Sequence, residues 1–236
     1  LKTAGRDDPQ LLALWLTWAV LERANGTPDE AGAVAREALA QLGPEGYVFM
    51  PSAVELFVRA KDSAQARKTL EAIREADGRH PDLAYLEGLI AQGEGKAREA
   101  IRIWQAGTGQ EKGSPRMRLA LADAYQKVND IPAAVRELRS LASQFPNAAM
   151  VRLALAKALG YTNAWREAAS HAAAALELEP ANIEAKAVEL SARAHVAAMD
   201  SADEKAWRAI IGELRDLEAR VPGGGMVEVL AADIAQ

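Results

Sequence analysis

The chain has 236 residues, 50% hydrophobic, 26% charged and only 5% aromatic, with a formal net charge of -5 and no cysteine. This balance sets aside a dominant nucleic-acid role, which needs a concentrated basic surface, and the missing cysteines remove disulfides and thiolate metal sites. The longest apolar run, Leu11 to Leu21, is interrupted by Thr17 and is too short to span a bilayer, so no membrane insertion of this segment is expected.

In chain order, Asp8-Pro9 starts a helix, with Asp capping free amides and Pro in the first turn. It runs to about Ala24, is broken by Gly26 and Pro28, and is followed by a second helix from Asp29 to Leu42. Gly43-Pro44-Glu45-Gly46 is a turn, after which a pair covers Tyr47 to Ala60 and Ser63 to Ala76 and ends at Gly78. A third pair starts at Pro81, breaks over Gly93 to Gly95 and resumes from Lys96 to Ala106, leaving Gly107 to Ser114 as a polar loop. The fourth begins at the cap Ser114 and turns at Asn129-Asp130; the fifth begins near Asn147 and turns at Thr162-Asn163. Longer helices follow from Ile183 to Ala198 and from Ala202 to Arg220, then Gly223-Gly224-Gly225 and a terminal helix from Met226 to Ile234. The expectation is an all-α chain of thirteen helices.

One stretch occurs twice. Arg118 to Ala124 reads RLALADA and Arg152 to Ala158 reads RLALAKA, 34 residues later, and the same offset carries Ala134 onto Ala168 and Pro146 onto Pro180. Repetition at this period signals a stacked helical array. A small residue stands midway along the first helix of several pairs (Ala19, Gly88, Ala122, Ala156), and another about twelve residues later in the second (Ala31, Ala66, Ala100, Ala134, Ala168). Small side chains let two helices approach closely. Trp15, Phe57 and Tyr125 supply aromatic positions, and Pro146 and Pro180 close their repeats.

On these residues the chain resembles the tetratricopeptide repeat family. Arg118 and Arg152 depart from the family's large aromatic, Gly43 and Gly78 replace the closing proline, and Pro180 to Pro222 spans 42 residues where 34 is usual. The resemblance implies a right-handed superhelical solenoid in one array over 1–236. About six helix-turn-helix repeats would cover 12–46, 47–80, 81–114, 115–148, 149–182 and 183–224, with a terminal helix over 225–236. The chain starts at Leu1 without methionine and ends in a helical pattern at Gln236, and is expected to be a piece of a longer protein; cytoplasm and periplasm are both compatible.

The resemblance also implies that function lies on a concave face lined by each first helix. The residues placed there are Leu16, Val20, Arg23, Glu55, Arg59, Tyr85, Leu89, Gln92, Arg116, Leu119, Asp123, Lys127, Met150, Leu153, Lys157 and Tyr161. Apolar platforms among both charge signs suit a peptide or helix of a protein partner. The family's Lys, Asn and Arg clamp for a terminal carboxylate is missing, with Leu16, Val20, Leu119 and Asp123 in its places. No catalytic, cofactor-binding or metal site is read. His80, His171 and His195 are scattered, and the glycines around Lys112 follow a helix in the wrong order for a phosphate loop. All five tryptophans read as packing residues, and Glu71, Glu75, Arg136 and Arg139 as a solvated outer face. The function expected is protein binding. The alternative is a scaffold or spacer within a larger protein, such as a bacterial envelope or secretion protein, with array ends open to self-association. Stability is expected to be a nearest-neighbour sum without contact between distant repeats.

Overall fold

The computed structural model describes residues 9–108, 114–200 and 204–220. Among them twelve α-helices and one 3-10 segment form, and no strand. The chain divides into two compact units, Leu1–Val128 and Asn129–Gln236. The N-terminal unit contains α1 (Pro9–Asn25), α2 (Pro28–Leu42), α3 (Met50–Arg59), α4 (Ser63–Ala76), α5 (Leu83–Gly93), α6 (Ala97–Thr108) and α7 (Pro115–Lys127). The C-terminal unit contains α8 (Ile131–Gln144), α9 (Ala149–Gly160), α10 (Trp165–Leu178), α11 (Ile183–Met199) and α12 (Glu204–Arg220). The expected terminal helix from Met226 lies outside the described residues.

Helix starts follow from capping chemistry. Thr27 accepts a hydrogen bond from the Glu30 amide, and the Glu30 carboxylate accepts from the Thr27 amide in return, a reciprocal box that satisfies two free donors. Asp62, Ser114, Asp130 and Asn182 likewise accept from amides three residues on. Two boundaries differ from expectation. Gly43–Phe49 is a 3-10 segment and α3 begins only at Met50, because Pro51 has no amide hydrogen and fits a helix only in its first turn. At the other boundary, α6 continues through Gly107 to Thr108. A side chain at Gly107 would press on the Met117 sulfur at 3.0 Å and the Ala84 Cβ at 3.2 Å, so the helix packs closely where a loop was expected.

The repeat is also written in the backbone. Lys61, Gly95, Asn129 and Asn163 have φ of 57°, 79°, 61° and 56°, each 34 residues after the last. In each case the left-handed residue ends the first helix and lets the chain re-enter the second. Asn and Gly tolerate this conformation and Lys does not, the Cβ clash costing about 1–2 kcal/mol. Lys61→Gly is therefore expected to raise stability by about 1 kcal/mol, read as a higher urea midpoint at unchanged slope.

Packing follows one rule in both units. First helices touch the next first helix (α1 with α3, α3 with α5, α5 with α7, and α9 with α11), and α2, α4, α6 and α10 each nest between the first helices before and after. The small residues sit at the closest approaches: Ala31, Ala66, Ala100 and Ala134 are 0% exposed and Ala168 1%. At Gly88 an added Cβ would stand 2.2 Å from the indole Nε1 of Trp104. That indole is fully buried and donates to the Tyr85 carbonyl at 3.1 Å. No helix among the described residues is long and apolar enough to cross a membrane.

Candidate functional site

In the N-terminal unit the first helices form one layer, and four of the residues expected on its face gather around a fifth, the carboxylate of Glu55. Glu55 of α3 is only 8% exposed, although a glutamate is rarely buried without partners. It has two: Arg23 of α1 and Arg116 of α7 each donate to a different Glu55 oxygen. The Arg116 guanidinium also lies 4.9 Å above the Tyr85 ring of α5, a cation–π contact. Arg59 donates to the carbonyl oxygens of Arg23, at 2.9 Å, and Gly26, so it closes the C-terminal end of α1 with a positive charge. Burial, with Glu55 nearby, pushes the Tyr85 phenol up and keeps it neutral.

The node corrects one expectation. Arg116 belongs to the fourth repeat and Glu55 to the second, 61 residues apart, so repeats that are not neighbours do touch. The reason is the reach of arginine: its long side chain lies across Tyr85 of the intervening repeat and meets the carboxylate beyond.

The other residues expected on this face fall around the node or beside it. Leu16 is half-buried against the core, and Val20 is exposed. Leu89 is half-buried on the α5–α7 core, and Leu119 is also half-buried. Gln92 donates to Asp123 at 2.9 Å, and Asp123 pairs with Lys127 at 2.7 Å, a second polar link between α5 and α7. In the C-terminal unit Lys157 of α9 pairs with Glu184 of α11, Met150 and Tyr161 are exposed, and Leu153 is buried. Sequence reasoning missed Glu22, which accepts from the Trp18 indole at 2.8 Å, and the parallel stack of Trp18 on Trp15 at 5.3 Å. The spacing of four between Trp18 and Glu22 on one helix face was the available signal.

Charges away from this face serve packing. Arg67 and Lys96 hold the Glu94 carboxyl down at about 2, tying α4 to the turn before α6. In the enlarged sixth repeat Glu189 and Glu213 share Lys186 and Arg193, which joins α11 to α12. Burial disfavours the charge on Lys186, but its bonds to Glu213 and Glu189 outweigh that and hold the ammonium up. Trp165 stacks on His195 at 3.8 Å, so that histidine is a packing partner.

Residues 91–158, which hold both copies of the duplicated stretch, match the family model described as tetratricopeptide repeat. Over these residues the chain carries tetratricopeptide repeats. Solved structures share this fold. PilF of Pseudomonas aeruginosa is 14% identical, with a TM-score of 0.64 over 98% of this chain and 100% of that one. MamA of AMB-1 is 20% identical, with a TM-score of 0.55 over 72% and 97%. The Cut9–Hcn1 heterotetramer of the APC/C is 20% identical, with a TM-score of 0.56 over 78% of this chain and 37% of that one. A search of curated protein sequences finds no match. At these identities the likeness is one of fold, a helical-repeat solenoid. Tetratricopeptide repeats generally mediate protein–protein interaction and are typically non-enzymatic scaffolds.

Proposed function

We propose that the first-helix face of the N-terminal unit captures an extended segment or a helix of a partner protein. The observation that carries this is the pairing of Tyr85 with Arg116 on Glu55. An aromatic ring and an arginine are held in place before any partner arrives, so little side-chain entropy is lost on binding. Lys157 and Tyr161 are proposed to serve the same role on the C-terminal unit. In sequence the 34-residue register runs unbroken through Val128 and Asn129, which supports reading the repeats as one series. The test is capture of peptides from an array. Tyr85→Ala and Arg116→Glu are each expected to lower it by about tenfold, and Glu75→Gln on the exposed face of α4 to leave it unchanged. Undiminished capture by both groove variants would overturn the reading.

A second reading, assembly of copies into a scaffold, is favoured by α1. Its residues Leu14, Trp18 and Leu21 form an apolar stripe at helical spacing and are 55%, 37% and 55% exposed. Under that reading sedimentation would show concentration-dependent assembly, abolished by Leu14→Glu, with peptide capture untouched by Tyr85→Ala.

A further inference from the structure

Three guanidiniums, those of Arg23, Arg59 and Arg116, stand at the node with the one carboxylate of Glu55, on a chain whose net charge is -5, while farther along the face Lys127 and Asp123 pair with each other. Glu55 takes one hydrogen bond from Arg23 and one from Arg116, and each of these side chains keeps a substantial exposed surface, 35% and 48%. A guanidinium has five N–H donors in a planar fork that matches a carboxylate. The node is therefore rich in unspent donors, and it is already ordered by Glu55 below and Tyr85 beside it. From this arrangement we infer that the segment captured here is acidic, with an Asp or Glu side chain of the partner bound between Arg23 and Arg116.

This inference rests on the groove reading above and adds the chemistry of its occupant. Glu55 acts as a positioning residue, neutralising part of the charge while aiming both arginines outward. A side chain fits better than a chain terminus, because Leu16, Val20, Leu119 and Asp123 stand where the family's clamp for a terminal carboxylate would need Lys, Asn and Arg.

The probe is an array of acetylated, amidated twelve-residue peptides, each present in an acidic form and in a form with Asn and Gln replacing Asp and Glu. Acidic members are expected to bind about tenfold better than their neutral pairs, with the preference shrinking as salt is raised. Arg116→Gln and Arg23→Gln should each erase the preference, and Arg116→Lys should retain part of it; circular dichroism identifies any variant that has lost its helices. The wild-type comparison needs no variant. Equal binding of acidic and neutral forms would overturn the acidic assignment and leave the groove reading standing. Capture confined to peptides with a free C-terminal carboxylate would also overturn it, and no capture of any peptide would overturn the groove reading itself.

Discussion

Trp104→Ala is expected to lower the stability of the chain by about 3–5 kcal/mol. The indole is fully buried between α5 and α7, packs with Ala100, Met117 and Leu121, and its N–H satisfies the Tyr85 carbonyl. Removing it leaves both a cavity and a weakened end of the Tyr85 platform. The complementary change is at Gly88, where an alanine Cβ would meet the same indole edge at 2.2 to 2.7 Å. Alanine is the better helix former by about 1 kcal/mol, yet Gly88→Ala should destabilise by about 1–3 kcal/mol, because a closely packed ring cannot retreat by the required distance. In a Trp104→Phe background the clash with the indole Nε1 edge is gone, so the two changes should be strongly non-additive in a double-mutant cycle of urea melts. Additive effects would show that Gly88 and Trp104 are not one packing unit.

The second large effect is expected at the repeated small residue of the second helices. Ala168 of α10 and Ala134 of α8 are 1% and 0% exposed. An indole at either place has nowhere to go without separating helices that the repeat presses together. Ala168→Trp and Ala134→Trp are each expected to cost about 1–3 kcal/mol by overpacking. Glu75→Gln on an exposed face should stay within about 0.5 kcal/mol. Thermal melts followed by circular dichroism check both, and an unshifted melt for the tryptophan variants would remove the close-packing argument.

Much of the fold was legible because the residues that end helices and the residues that let them touch have narrow chemistry. Pro9 and Ser114 marked starts, and Ala31 through Ala168 marked the close approaches, since a small side chain at that interval is what close helix contact needs. The break after Ala60 was legible but the left-handed backbone of Lys61 was not, because nothing about lysine favours it; only its place 34 residues before Gly95 betrays it. The onset of α3 was misplaced because Pro51 was not weighed against the apolar run that begins at Tyr47. At the candidate site, Arg23, Tyr85 and Arg116 could be placed on one face from the repeat register. The burial of Glu55 could not, because a glutamate alone reads as solvated and its partners lie 32 and 61 residues away in sequence.

That bridge across an intervening repeat changes how the N-terminal half should come apart. A stack held only by adjacent contacts can fray from its ends, one hairpin at a time. Here, peeling away α7 also strips a buried acid in the second hairpin of half its compensating charge. The penalty for a partly opened state is thus shared, and the seven helices of the N-terminal unit are expected to melt together in one sharp step.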